Sequence, residues 1–154
     1  MLSNEDLMKL FKNKKAERNY FLHQKFEAGI LLKGTEIKSI RAGRINFKDS
    51  YAKAEKGEIW LCSLHISPYD QASYNNHDPE RERKLLLNRN EIRKLIIKME
   101  ERGFTLVPLD LYINEKGIVK LTIALAKGKR KYDKREDMQK KTEMRDSERE
   151  SKFN

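Results

Sequence analysis

The sequence of 154 residues has one cysteine, three prolines and three histidines, and no long apolar run. Cys62 has no second cysteine with which to form a disulfide bond within the chain. A transmembrane helix needs about 20 predominantly apolar residues, and the sequence has no such run and no signal-peptide pattern at its start. We therefore expect a cytoplasmic protein that does not bind membranes.

The sequence motifs of common enzymes are also missing. The chain has no Gly-rich phosphate-binding loop, no GxSxG turn and no HExxH. His23, His65 and His77 lie in different segments, and none has a second metal ligand at helical spacing in a convincing context. We expect a protein that is not an enzyme and that needs no metal or other cofactor.

Charge is what the sequence has in excess. With 34 Lys and Arg against 24 Asp and Glu, the formal net charge is +10. Such an excess favours polyanionic partners, either nucleic acid or an acidic membrane surface. Because no segment could span a bilayer, nucleic acid is the favoured partner. The sequence gives no sign of oligomerisation, and we expect a monomer.

The chain divides near Ala126 and Lys127. Before this point, apolar residues alternate with other residues over 119–125, which is typical of a strand with one buried face. After it comes a basic stretch with no aliphatic side chain over 127–135. We expect a folded domain over 1–129 and a basic tail over 130–154. Acid-before-base pairs at i, i+4 in the tail, such as Glu136 with Lys140, contribute only about 0.2–0.5 kcal/mol each.

The stabilisation from those pairs is small compared with the free-energy cost of nucleating an isolated helix. The tail is therefore expected to be disordered when free and helical when bound to a polyanion. The alternative is a solvated tail that only aids solubility.

The rest of the chain shows helix and strand patterns in alternation. Leu7, Leu10 and Phe11 predict an amphipathic helix over 1–14. The predicted strands and hairpins are one long or two short strands over 20–32, a hairpin over 48–66, and a hairpin over 104–126 with Val107, Leu109, Leu111 and Ile113 on one face. Pro108 indicates an edge position or a bulge.

Two further helices are predicted. One is short and opens at Gly34, and the other begins after the N-cap Asn88, with Glu91 completing a capping box. The predicted fold is mainly β: a small antiparallel OB-type barrel with two or three flanking helices and a C-terminal basic tail. The polar loop over 67–84 has aromatic, amide and arginine side chains that suit RNA, or it is an ordinary solvated loop.

The residues also carry a family resemblance, spread over nearly all of 15–135. The stretches are Tyr20-Phe21, Phe26-Glu27-Ala28-Gly29, Gly34-Thr35-Glu36-Ile37-Lys38-Ser39-Ile40-Arg41, Asp49-Ser50-Tyr51, Pro68-Tyr69, Arg83-Lys84-Leu85-Leu86-Leu87, Leu111-Tyr112, Ala126-Lys127-Gly128-Lys129 and Asp133-Lys134-Arg135. In this order and spacing the chain resembles the SsrA-binding proteins, also called small protein B. The resemblance implies an adaptor that binds the tRNA-like domain of transfer-messenger RNA and delivers it to stalled ribosomes in trans-translation.

The resemblance also implies site residues. RNA contacts carry over to Glu27, Leu86, Asn88 and Lys120, and we further expect them at Tyr20, Lys38, Arg83, Lys84 and Lys127. The tail residues Lys129, Arg130, Lys131, Tyr132, Asp133, Lys134 and Arg135 are expected at the decoding centre and in the empty mRNA channel of the ribosome. Structural alternatives stay open: Glu27 as an exposed strand carboxylate, Leu86 as a core residue and Asn88 as a helix cap alone.

Two other functions compete with the adaptor. A general RNA- or DNA-binding OB module, or a ribosomal protein, would bind many polyanions with a steep dependence on salt. An RNA-processing enzyme would turn RNA over, with or without a divalent metal.

Overall fold

Nine strands and three helices make up the described part of the chain, which is residues 10–69, 76–101 and 103–129 of the computed structural model. The strands are β1 (Leu10–Lys12), β2 (Tyr20–Ile30), β3 (Ile45–Asn46), β4 (Tyr51–Glu55), β5 (Glu58–Cys62), β6 (His65–Ile66), β7 (Arg83–Leu86), β8 (Phe104–Ile113) and β9 (Val119–Gly128). The helices are α1 (Lys14–Asn19), α2 (Gly34–Arg41) and α3 (Arg89–Glu100). The predicted tail over 130–154 lies outside the described residues.

Six of the strands close into a barrel. Antiparallel pairing runs from β8 through β4, β5, β7, β2 and β9, and β9 pairs again with β8. Closure removes exposed strand edges, which is how all-β domains avoid pairing with other chains. β1 extends the sheet beside β8, and β3 and β6 form a separate two-stranded sheet. The predicted antiparallel barrel with flanking helices is confirmed.

The alternating residues of β9 build the centre of the barrel. Val119, Leu121, Ile123 and Leu125 are all buried in the main core. The strand runs two residues beyond Ala126, because Lys127 and Gly128 still pair with Phe21 and Tyr20. Strand β9 therefore extends past the junction at Ala126 and Lys127 that the sequence pattern indicates.

The predicted single apolar face of β8 is wrong, and a bulge is the reason. The pairing of β8 with β9 shifts between Pro108 and Asp110, which leaves Leu109 as an extra residue. One extra residue exchanges the two faces of a strand. Leu111 and Ile113 accordingly lie in the main core, whereas Val107 and Leu109 pack in a second cluster. That cluster also holds Ala16, Ala124 and Ala126. Of the two alternatives expected at Pro108, an edge position or a bulge, the register shift supports the bulge.

The predicted helix over 1–14 is also wrong where the structure describes it; residues 1–9 lie outside the described part. Leu10 and Phe11 belong to strand β1, and the helix begins only at Lys14. β1 pairs with the edge of β8, so hydrogen bonds to a distant strand outweigh the local helical spacing. Between them, Asn13 is buried and donates from Nδ2 to the carbonyl of Pro108 (2.8 Å) and from its backbone N–H to that of Leu109 (2.7 Å).

The predicted hairpin over 48–66 is confirmed only in part. β4 and β5 pair as expected, but the second arm ends at Cys62. Ser63 takes a positive φ of 63°, and His65 and Ile66 then pair with β3 instead. Cys62 is buried, as predicted for a small core residue, and burial raises the pKa of its thiol. No helix within the described ranges is long and apolar enough to cross a membrane.

Candidate RNA-binding surface

The outer faces of β2, β7 and β9 meet at one side of the barrel. Gly29 of β2 pairs with Leu86 of β7 on one side and with Lys120 of β9 on the other. Glu27 lies two residues before Gly29, so it projects from the same face. Glu27, Lys84, Leu86, Asn88 and Lys120 all line one shallow concavity here. Five of the nine expected RNA contacts of the folded domain are thus brought together.

Gly29 allows two strands to come close together in this concavity. A Cβ at Gly29 would lie 3.2 Å from the Cβ of Leu86, closer than ordinary packing permits. The Leu86 side chain is 49% exposed, which is unusual for a large apolar residue in a strand. Leu86 is therefore a surface residue and not a core residue, and the core position of β7 is taken by Leu85.

The charges around the concavity are balanced. Three cations, Lys84, Arg89 and Lys120, line it together with three carboxylates, Glu27, Glu58 and Glu91. The concavity therefore has no net positive charge that would attract phosphate groups in general.

Two of the three carboxylates have structural roles. Lys84 lies 3.6 Å from Glu58, and Glu91 accepts from the backbone N–H of Asn88 at 3.4 Å. Glu27, by contrast, makes no ion pair within the described residues. It lies near Tyr112, whose pKa is raised first by burial and then by the contact of its hydroxyl with the Glu27 carboxylate. An exposed carboxylate without an ion pair can accept hydrogen bonds from a base edge or a 2′-hydroxyl.

Asn88 begins the helix that borders the concavity. Its side-chain oxygen accepts from the backbone N–H of Glu91 at 2.9 Å, which completes the predicted capping box. The cap uses only the side-chain oxygen of Asn88, so the amide NH₂ group is not needed for the cap and can donate to another partner. The predicted cap is confirmed, and Ile92 and Leu95 hold the helix to the main core.

Three other expected RNA contacts lie away from the concavity. Tyr20 is at the opposite end of β2 from Glu27, roughly 23 Å away at 3.3 Å per residue, and it packs on the second cluster. Lys127 is exposed near that end, with its Nζ 4.5 Å from the Phe104 ring centroid. Lys38 lies on α2, with its Nζ 5.4 Å from the Tyr69 ring centroid. The structure does not bring these three residues into the same site.

The expectation that Arg83 contacts RNA is wrong, because Arg83 is buried. Arg83 has no exposed surface, and its guanidinium donates to Glu36 and to the carbonyls of Leu64 and Pro79. These bonds use the guanidinium inside the fold, so Arg83 is structural. His77, from the same polar loop, is also buried, and its ring bonds to Thr35 and to the carbonyl of Ile66. Part of that loop, residues 70–75, lies outside the described residues.

Of the expected ribosome contacts, only Lys129 lies within the described residues. Its backbone N–H donates to the carbonyl of Asn19 (2.8 Å), and its Nζ lies 4.9 Å from the Phe21 ring centroid. Lys129 is thus held against the folded domain, at the end of β9. Arg130, Lys131, Tyr132, Asp133, Lys134 and Arg135 lie outside the described residues.

Comparison with known proteins identifies the family to which this chain belongs. The family model described as "SmpB protein" matches residues 10–153. The chain belongs to the SmpB family. The SsrA-binding protein of Anoxybacillus flavithermus is 60% identical over 137 residues, which cover 89% of this chain and 88% of that protein. The SsrA-binding protein of Halothermothrix orenii is 50% identical over 145 residues, covering 94% of this chain and 93% of that protein.

A solved structure of the SmpB family is similar as well. It is described as "tmRNA-SmpB: a journey to the center of the bacterial ribosome" and is 48% identical, with a TM-score of 0.68. The match covers 82% of this chain and 92% of that one. The family resemblance found in the sequence is therefore confirmed, and the barrel described above is the SmpB fold.

Several residues that line the concavity escaped the sequence analysis. Gly29 and Arg89 are two of them; Gly29 belongs to a stretch quoted for the resemblance, and Arg89 follows the N-cap of α3. Their place in the site depends on the pairing of β2 with β7, which lie more than fifty residues apart in sequence. The quoted sequence stretch could single out Gly29 as a candidate site residue. Only the strand pairing, however, shows that Gly29 lies beside Leu86 and Lys120.

Proposed function

We propose that this chain is a non-catalytic adaptor of the cytoplasm. It binds the tRNA-like domain of transfer-messenger RNA through its barrel and delivers that RNA to stalled ribosomes for trans-translation. The observation that carries the proposal is the concavity that gathers Glu27, Lys84, Leu86, Asn88 and Lys120 in a member of the SmpB family. The names of the relatives and the description of the solved structure support the same RNA and the ribosome as partners.

Recognition at this surface uses shape and hydrogen bonds more than charge. Lys120 supplies a cation for a phosphate, Leu86 supplies an apolar contact for a sugar or base, and Glu27 accepts from an RNA donor. An exposed carboxylate without an ion pair, such as Glu27, would repel a general polyanion. It favours an RNA that presents a base edge or a 2′-hydroxyl at that point, so the site selects a folded RNA over nucleic acid in general.

The folded domain and the tail divide the work. The barrel, residues 1–129, holds the RNA, and the tail, residues 130–154, enters the mRNA channel and contacts the decoding centre as a helix. Lys129 is the last described residue and is fixed to the domain by its bond to the Asn19 carbonyl, so the tail leaves the barrel from a defined point. A tail of this composition gains its helix on contact with a polyanion.

The test is selective binding by the full chain. A labelled tRNA-like fragment of transfer-messenger RNA is titrated with protein at near-physiological salt, with excess ordinary tRNA as competitor. We expect binding that survives the competitor and that weakens in E27Q and K120A, with the slope of log affinity against log salt reduced by about one in K120A. K94A is the matched control, since Lys94 is exposed on α3 and does not line the concavity.

Binding that ordinary tRNA abolishes would instead indicate a general basic module, the function that the net charge of +10 alone favours.

A further inference from the structure

One row of paired residues crosses five strands on the outer face of the barrel. Leu86 pairs with Gly29, Gly29 with Lys120, Lys120 with Tyr112, and Tyr112 with Leu10. Directly paired residues project from the same face of a sheet, and strands lie about 4.8 Å apart, so the row spans roughly 19 Å. Lys120 stands at its middle, and exposed leucines stand at both ends: Leu86 is 49% exposed and Leu10 is 51% exposed.

Beyond Lys120 the row enters a second groove. Lys120 lines both this groove and the concavity that holds Glu27 and Leu86, so the two are continuous. Leu10, Tyr112, Lys116 and Ile118 also line the second groove. Ile118 is 50% exposed and Leu10 is 51% exposed, so two exposed apolar side chains line this groove.

The groove is also held in one shape. The turn between β8 and β9 is closed by Asn114, whose side-chain oxygen accepts from the backbone N–H groups of Lys116 (3.0 Å) and Ile118 (2.9 Å). Gly117 takes a positive φ of 78°, which completes the turn. Lys116 and Ile118 are thus presented at fixed positions, and a surface that needs no reordering binds at lower entropic cost.

The side chains of the groove suit a nucleotide. A partly exposed aromatic ring such as that of Tyr112 can stack on a base, aliphatic side chains can pack against a ribose, and lysines can pair with phosphate. Lys116 and Lys120 supply two positive charges against the single carboxylate of Glu115 at the turn. The groove therefore combines apolar side chains with a net positive charge. This combination favours RNA over a protein partner that has few acidic residues.

We propose that the RNA-binding surface continues across Lys120 into this groove, where Tyr112 and Ile118 contact a further nucleotide and Lys116 contacts its phosphate. The inference rests on the proposed function, because it extends the same bound RNA. Continuity through Lys120 and the charge of the groove favour RNA over the two other occupants, which are residues 1–9 of this chain and a second copy of it.

The test compares two exposed isoleucines in the full chain. I118S removes apolar surface from the groove, and I97S is the matched control, because Ile97 is 62% exposed on α3 and does not line the groove. Y112L removes the aromatic ring but keeps an apolar side chain. Affinity for the tRNA-like fragment should fall about fivefold or more in Y112L and I118S, as expected for a lost stacking or packing contact, and stay near wild type in I97S.

Urea unfolding midpoints show that each variant is folded. K116A adds a second reading, since loss of one phosphate contact reduces the salt slope by about one. Hydroxyl-radical footprinting of the RNA with wild type and I118S should show loss of protection at one short stretch. Weakened binding by Y112L, I118S and K116A, with I97S unchanged, would support the extension.

Other outcomes would overturn it in distinguishable ways. Wild-type affinity in Y112L, I118S and K116A, while K120A and E27Q still weaken binding, would refute the extension and leave the proposed function intact. Loss of selective binding in the wild type itself would refute both. If deleting residues 2–9 strengthens RNA binding and cancels the effect of I118S, the N-terminal segment occupies the groove. If I118S abolishes a concentration-dependent dimer, the occupant is a second copy.

Discussion

Glu36 on α2 and Arg83 on β7 form an ion pair in which neither side chain has any exposed surface. Glu36 also accepts from Arg81 (2.6 Å) and from the backbone N–H of Lys33 (2.7 Å). Arg83 also donates to the carbonyls of Leu64 (2.7 Å) and Pro79 (3.1 Å). The pair therefore joins α2, the end of the polar loop and the strand that places Leu86 in the concavity.

Replacing Arg83 with methionine should lower the free energy of unfolding by about 3 kcal/mol, because buried Glu36 would keep only Arg81 as an ionic partner and the carbonyls of Leu64 and Pro79 would each lose a donor. Urea unfolding at neutral pH measures this loss. R93M is the control, since Arg93 is exposed on α3, and it should change stability by less than about 0.5 kcal/mol. A loss below about 1 kcal/mol in R83M would mean that the pair does not hold the fold.

Stability should depend on pH through Glu36. Burial by itself would raise the pKa of this carboxyl, but hydrogen bonds from Arg81, Lys33 and Arg83 together hold the pKa below its ordinary value of 4.5. A carboxyl whose pKa is lower in the folded state stabilises the fold above its unfolded pKa, and this contribution is lost as pH falls through the folded pKa. The stability difference between wild type and E36Q should therefore be largest above about pH 5 and should narrow below pH 4.

A constant difference between wild type and E36Q across that range would contradict this assignment. The comparison isolates Glu36, because the other carboxyls that titrate at low pH are common to both proteins.

Gly29 should be required for RNA binding although it offers no side chain. G29A places a Cβ 3.2 Å from the Leu86 Cβ, so Leu86 must shift, and the concavity changes shape. We expect weaker binding of the tRNA-like fragment with a stability loss of about 1–3 kcal/mol, the usual cost of overpacking. G34A is the matched control, because a Cβ at Gly34 meets nothing within 4 Å. Equal binding by G29A and wild type would show that the close approach is not needed.

The two roles of Asn88 can be separated by a pair of substitutions. Serine caps helices as well as asparagine does, so N88S should unfold like wild type, whereas N88A should lose about 1 kcal/mol. If the free amide group contacts RNA, both variants should bind the tRNA-like fragment several times more weakly. Wild-type affinity in N88S, measured beside its unfolding curve, would restrict Asn88 to the cap.

The tail should act only on the ribosome. Replacing Lys134 and Arg135 with alanine should leave binding to the tRNA-like fragment unchanged but abolish the tagging of peptides on stalled ribosomes. A K94A variant, altered on the folded domain away from the concavity, should keep both activities. Full tagging by the tail variant would end the proposed division of labour between barrel and tail.

Local patterns predicted the elements whose stability is local or whose burial is periodic. The alternation from Val119 to Leu125 placed β9 in the core, and Asn88 with Glu91 marked the start of α3. Both signals work because side-chain periodicity and cap hydrogen bonds involve residues close in sequence. The family resemblance implied RNA contacts at Glu27, Leu86, Asn88 and Lys120, and the structure places these four residues in one concavity.

Predictions failed where a distant partner decided the outcome. Leu10 and Phe11 have helical spacing but pair with β8, and the bulge at Leu109 exchanges the faces of a strand that reads as regular. From its place at the end of a polar loop, Arg83 is predicted to be a surface cation. It is buried instead, because it pairs with Glu36, which is 47 residues away in sequence. In each case, long-range hydrogen bonds or charge pairing outweigh a local preference worth less than about 1 kcal/mol per residue.

The sequence by itself determined the family, the basic character, the barrel class and the main helices of this protein, because composition, periodicity and motif spacing are properties of the chain alone. Only the tertiary structure decided which side chains share a surface. The row from Leu86 to Leu10 joins strands from five places in the chain, and its neighbours are set by register. Register depends on closure of the whole barrel, so no single segment of sequence contains it.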